Sequence, residues 1–165
     1  MAASLFTLAG CSDFGNINVN SNSPSTPSTS ALFTGAIRTV GNMNGQVGPG
    51  SLNGTPTLYV QQLADVTYVE ESRYKTVNFS YNGLYSGPLN NLNQVIKLNI
   101  DADTKTAAAA QGSNANQIAI ARILKAYIFQ WITDRWGDVP YSQALKGNEN
   151  FSPAFDRQQD IYNDL

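Results

Sequence analysis

Apolar residues recur at helical rather than alternating spacing along most of the chain. Ser30 is placed to cap a helix that carries Leu32, Phe33, Ala36, Ile37 and Val40 on one face. From Gly41 to Gly54 the chain holds several glycines, Pro49 and few apolar residues, which predicts a loop. Pro56 then suits the first turn of a second helix with Leu58, Tyr59, Leu63 and Val66 inward. Asp65 to Tyr81 is aromatic and polar without a period and predicts an ordered, irregular connection. A third helix is expected from about Asn82 to Leu98, buried through Leu89, Leu92, Val95 and Ile96, with Pro88 either starting its regular part or kinking it.

The clearest helix lies between Asn114 and Trp136. Asn114 and Gln117 have capping-box spacing. Ile120, Leu124, Tyr127, Trp131 and Arg135 lie on one face, while Ile123, Ala126, Phe129 and Trp136 add apolar surface elsewhere. A helix apolar over so much of its circumference packs against neighbours on at least two sides, and Ala119, Ala121 and Ala126 leave room for close approach. Gly137 stops it with a residue that tolerates positive φ. Asp156 and Gln159 then predict the start of a last helix over Arg157 to Leu165. Only Ile161 and Leu165 have begun its apolar face, so the chain reads as the N-terminal part of a longer protein. Helix–loop–helix units without strand alternation predict a mainly α fold with tetratricopeptide-like helix pairs and long irregular connections.

Composition narrows the chemistry. At 165 residues, 42% hydrophobic and 13% charged, the chain can bury a sizeable core. A net charge of −2 with no basic run argues against nucleic-acid binding. There is no histidine, which removes Ser-His-Asp and Cys-His catalysis and every His-ligated metal site from these residues. Asp101-Ala102-Asp103 opens like a calcium loop, but Lys105 holds the fifth position and no glycine the sixth. Adjacent Glu70 and Glu71 do not give the opposed carboxylates of a glycosidase. The Gly41 to Gly54 stretch has no strand before it and no Gly-Lys-Ser/Thr after it, so it is not a phosphate loop. No cofactor is expected.

The single cysteine, Cys11, excludes an internal disulfide. It ends the short run Leu5-Phe6-Thr7-Leu8-Ala9-Gly10, which looks like a lipobox, the cleavage site after which a bacterial cysteine is joined to diacylglycerol. The Lys/Arg-rich start of a signal peptide is missing and the apolar run is shorter than the ordinary length of about 7–15 residues. The alternative is a small buried hydrophobe in a first strand or helix. The next segment favours the anchor. Residues 12–30 are rich in Ser, Asn, Pro and Thr and read as a flexible tether. The expected organisation is a lipoprotein signal remnant over 1–11, the tether over 12–30, and a helical domain over 31–165, truncated at its C-terminus. No later stretch has the ~18 apolar residues that span a bilayer.

Two segments carry a resemblance. One is Ala121-Arg122-Ile123-Leu124-Lys125-Ala126-Tyr127-Ile128-Phe129-Gln130, continued by Thr133-Asp134-Arg135-Trp136-Gly137-Asp138-Val139-Pro140-Tyr141-Ser142-Gln143-Ala144-Leu145. The other is Pro153-Ala154-Phe155-Asp156-Arg157-Gln158-Gln159-Asp160-Ile161-Tyr162. In order and spacing they resemble the first tetratricopeptide-like helix, turn and next helix start of the SusD/RagB nutrient-binding lipoproteins. Leu32 to Arg38 is similar to that family's opening helix. In physical terms, Gly137 turns the chain, Asp138 can accept backbone N–H groups in the turn, and Pro140 holds Val139 extended. The segment then becomes two antiparallel helices joined by a rigid elbow, with Trp131, Trp136 and Tyr141 as packing residues first.

The resemblance implies a binding protein and not an enzyme, lipid-anchored through Cys11 at the outer membrane and exposed at the cell surface. It implies a glycan or peptide ligand and a partner SusC-like TonB-dependent transporter. The alternative is a helical-repeat scaffold lipoprotein that holds protein partners without a small ligand. A lipid-anchored hydrolase with its active site beyond residue 165 is a third reading. For ligand contact the candidates are Tyr68, Arg73, Tyr74 and Phe79 on the aromatic connection, as stacking or hydrogen-bonding groups. Each of the three aromatics among them has the competing role of a core anchor in an irregular loop.

Overall fold

The computed structural model describes residues 20, 26–45, 54–76, 78 and 80–165. Cys11, Phe79 and most of the expected loop before Gly54 lie outside the described residues. The fold is mainly α, with helices α1 (Thr29–Gly45), α2 (Gly54–Tyr59), α3 (Asn82–Leu84), α4 (Asn90–Ile100), α5 (Lys105–Ala109), α6 (Asn114–Trp136) and α7 (Gln158–Asp164).

Helix α1 begins slightly earlier than the sequence predicts. Ser28, not Ser30, caps it: the Ala31 N–H donates to Ser28 Oγ at 3.2 Å, while Ser30 offers its backbone carbonyl to the Thr34 hydroxyl. The helix also runs through Gly41 to Gly45, where the glycines predict a loop. Met43 is the reason: its side chain is buried in the core and extends the inner face by one turn. That face is Leu32, Phe33, Ala36, Val40 and Met43, and Ile37 turns outward at 53% exposure. Gly35 marks the crossing with α4, where a Cβ would come within 3.1 Å of the Asn91 amide.

Asn82 to Ile100 is one helical run, and Pro88 is absorbed inside it. A π-helical turn over Tyr85–Leu89 separates α3 from α4. Proline has no N–H to give and its ring would collide with the preceding turn of a regular α-helix, and the wider π turn relieves both. Pro88, Leu89, Leu92 and Val95 are buried along this run.

Helix α6 has the predicted limits, but its buried face is rotated from the expected one. Gln117, Ala121, Ile128, Phe129, Ile132 and Thr133 are inside, whereas Ile120, Ile123 and Tyr127 stand 47%, 68% and 37% exposed. With apolar residues nearly all round, periodicity cannot select a face; packing against α4 does. The capping box does not form either. Ser113 is the N-cap, and the two amides assigned to the box go to a buried network instead. Gln117 Nε2 donates to the carbonyls of Ala108 (2.8 Å) and Gly112 (2.7 Å), and Gln117 Oε1 accepts from Asn99 Nδ2 (3.3 Å). Asn114 Nδ2 donates to Asn99 Oδ1 (2.8 Å) and to the Lys105 carbonyl (2.9 Å). These bonds tie α4, α5 and α6 together at one end of the bundle.

At the other end Gly137, at φ 73° and ψ −122°, reverses the chain. The elbow holds a feature the sequence does not predict, a two-residue antiparallel ladder. Strand β1 (Val139–Pro140) pairs with β2 (Phe155–Asp156), in register Val139 to Asp156 and Pro140 to Phe155. Helix α7 then returns along α6 and buries Ile161 in the core.

Candidate functional site

Helix α2 is shorter than predicted. It ends at Tyr59, because the chain turns at Val60 and Gln61, the latter at φ 58°. Leu63 (45% exposed) and Val66 (94% exposed) therefore do not join Leu58 on an inner face. The aromatic connection beyond α2 is ordered by its own polar groups. Thr55 on α2 donates to Glu71 Oε2 at 3.2 Å, the Asp65 N–H donates to Ser72 Oγ at 2.8 Å, and the Tyr59 hydroxyl donates to the Lys75 carbonyl. Gln61 and Tyr74 both have left-handed backbone (φ 58° and 63°) and are joined side chain to side chain, Gln61 Nε2 donating to the Tyr74 hydroxyl at 3.1 Å. Two bulky residues held at positive φ indicate a segment shaped by its surroundings rather than by local preference.

Helix α2, against which this segment is held, faces the C-terminal end of α6 across a cleft of about 620 Å³. Thr55, Pro56, Tyr59 and Val60 line it from the α2 side, and Tyr81, Arg135 and Trp136 from the other, with Asn78 also contributing. Trp136 is fixed by neighbours. Tyr81 meets it edge to face at 5.3 Å, Trp131 packs at 5.8 Å, and the Arg135 guanidinium stands 5.4 Å from its ring centroid. Burial pushes the Arg135 pKa down, and the nearby Tyr59 partly offsets this. Chemically the cleft offers aromatic faces for apolar C–H surfaces, with a guanidinium, an amide and a threonine hydroxyl near them. That combination suits a neutral polyhydroxylated ligand.

Of the residues singled out in the sequence, Tyr74 borders this site through its ring contact with Tyr59 at 5.5 Å. Tyr68 is 78% exposed and Arg73 is exposed, both on the same connection, and neither lines the cleft. Phe79 lies outside the described residues. By spacing alone the lining aromatics Tyr59, Tyr81 and Trp136 look like packing or connection residues. The signal that could have found Trp136 is its place beside Arg135 at the glycine-terminated end of α6.

A family model described as "SusD-like_2: Starch-binding associating with outer membrane" matches residues 21–165. The chain belongs to the SusD-like family. No curated protein and no solved structure matches it. SusD-like proteins are binding proteins associated with the outer membrane, not enzymes. Among the described residues of this SusD-like chain, no helix is long and apolar enough to cross a membrane.

Proposed function

We propose that this SusD-like chain is a cell-surface lipoprotein that binds nutrient oligosaccharides and delivers them to a SusC-like TonB-dependent transporter, without turning them over. The observation that carries the ligand part is the cleft between Tyr59 and Trp136, with rings and planar hydrogen-bonding groups side by side. The family description, starch-binding, supports a glucan as the first ligand to try. Tyr74, Tyr68, Arg73 and Phe79 are proposed as contacts added from the aromatic connection as a longer ligand leaves the cleft. In this reading Cys11 carries the lipid, residues 12–30 are the tether, and residues 31–165 contribute the first part of the helical domain.

Calorimetric titration of maltooligosaccharides into the purified chain, with reducing ends assayed in parallel, tests this reading. Binding heat without new reducing ends is expected. Absence of binding, or release of product, would contradict it. A peptide ligand is the other outcome to measure, by the same titration with short peptides.

One observation favours the second reading, a scaffold for protein partners. Ile120, Ile123 and Tyr127 form an exposed apolar strip along α6. Native pull-down separates the two: a transporter barrel as main partner supports delivery, whereas soluble periplasmic partners support the scaffold.

A further inference from the structure

A second groove, of about 360 Å³, opens on the elbow loop. Its lining includes Tyr81, Tyr85, Pro140, Phe151, Pro153 and Phe155, with Asn82 and Ser152 as polar groups. Phe151 is 83% and Phe155 63% exposed. A singly exposed apolar residue is ordinary. Two phenylalanines bordering a groove walled by tyrosine and proline form a patch that water wets poorly and a ligand can cover.

The loop holds these rings in place before any ligand arrives. Asn150 Nδ2 donates to Gln143 Oε1 at 3.2 Å, the Ser152 N–H donates to Asn150 Oδ1 at 3.1 Å, and the β1–β2 ladder fixes Phe155. The Tyr85 hydroxyl is engaged with the Pro140 carbonyl at 2.5 Å, so this residue offers the groove its ring. The side chains of Asn82 and Ser152 carry no hydrogen bond among the described residues and remain available to a ligand's hydroxyls. Tyr81 lines both this groove and the first cleft. Its ring stands 5.3 Å from Trp136 on one side and 5.6 Å from Tyr85 on the other. The two sites are therefore neighbours across a single side chain.

We propose that the elbow groove is a second carbohydrate subsite, in which Phe151 and Phe155 stack on sugar rings of a chain whose other end occupies the cleft at Trp136. The protein then selects linear oligosaccharides of several units over single sugars or disaccharides. This rests on the first cleft being a glycan site. A sugar chain is favoured over a protein partner because the groove continues the cleft and repeats its mixture of rings with an amide and a hydroxyl.

The test is calorimetry on the full chain with maltose and maltohexaose, comparing wild type, the double variant Phe151→Ala/Phe155→Ala, and Tyr59→Ala. Both phenylalanines are exposed, so the double variant keeps its fold, with circular dichroism as the check. Removing the two stacking rings should weaken maltohexaose about tenfold and leave maltose unchanged. Tyr59→Ala should weaken both sugars. Equal maltohexaose affinity in wild type and the double variant overturns the subsite and leaves the cleft reading standing. If wild type binds neither sugar, both fall. If a proline-containing tetrapeptide, and no sugar, loses affinity in the double variant, the groove is real but its ligand class is overturned.

Discussion

Asp138 and Asp156 exchange roles across the elbow, each capping the backbone next to the other. Asp138 Oδ1 accepts the N–H of Gln158, the first residue of α7, at 2.9 Å. Asp156 Oδ2 accepts the N–H groups of Tyr141 and Ser142, both at 2.9 Å, and its Oδ1 accepts the Ser142 hydroxyl at 2.7 Å. The sequence predicts the reverse, with Asp138 serving its own turn and Asp156 capping the last helix. Arg157 is the N-cap position of α7 and provides no side-chain bond there. The crossed arrangement results from the β1–β2 ladder, which lays residues 139 and 156 opposite each other. Two separate turns thereby become one unit.

Asp156 gives this unit a pH dependence. Burial raises its pKa, but the Ser142 hydroxyl and the two backbone N–H groups outweigh that and hold the carboxyl below its ordinary 3.8. A depressed carboxyl stabilises the fold above the unfolded pKa, and that stability is lost as pH falls through the lower folded value. Asp156→Asn should cost about 1–2 kcal/mol at pH 6. Urea unfolding at pH 6 and again near pH 3 should show the difference from wild type shrinking on acidification.

Gly137 tests the turn itself. A Cβ placed there meets nothing within 4 Å, so space is not the constraint. Its φ of 73° with ψ −122° is a backbone conformation that L side chains avoid. Gly137→Ala should destabilise by roughly 1–3 kcal/mol from conformation alone. Thermal melts should show the loss, and a cost near zero would mean that the turn re-forms differently.

At the opposite end, Gln117 is only 6% exposed and satisfies two carbonyls at once. Gln117→Leu roughly keeps the volume but leaves the Gly112 carbonyl without its donor and removes the side-chain donor from the Ala108 carbonyl, which keeps the Gln111 N–H. It should cost roughly 1–3 kcal/mol and speed amide exchange in α5 ahead of α6.

Cys11 is a test of the proposed anchor. Cys11→Ser should move the protein from the membrane fraction to the soluble one and abolish incorporation of labelled palmitate. Retention in the membrane with unchanged labelling would contradict lipidation at this residue.

Helix limits were most legible where end signals coincide with a long apolar segment, as at Asn114 and Gly137 of α6. Which face of α6 is buried was not legible, since Ile120 and Ile123 are as apolar as Ile128 and Ile132 and only the position of α4 distinguishes them. Short polar side chains misled in a consistent way. Asn114, Gln117 and Asp156 have the spacing of local caps, yet all three bond to residues from other segments, which local spacing cannot reveal. The cleft was hidden for the same reason. Tyr59 and Trp136 lie far apart in sequence and look like core aromatics, and only the early end of α2 leaves them facing shared open space.

Whether this cleft holds a sugar is decided by crystals of the chain soaked with maltohexaose. A glucose ring should be seated against Trp136 and Tyr59, with its hydroxyls on Arg135 and Asn78. An empty cleft with sugar ordered elsewhere, on the outer face of α6 for example, would refute a glycan site there.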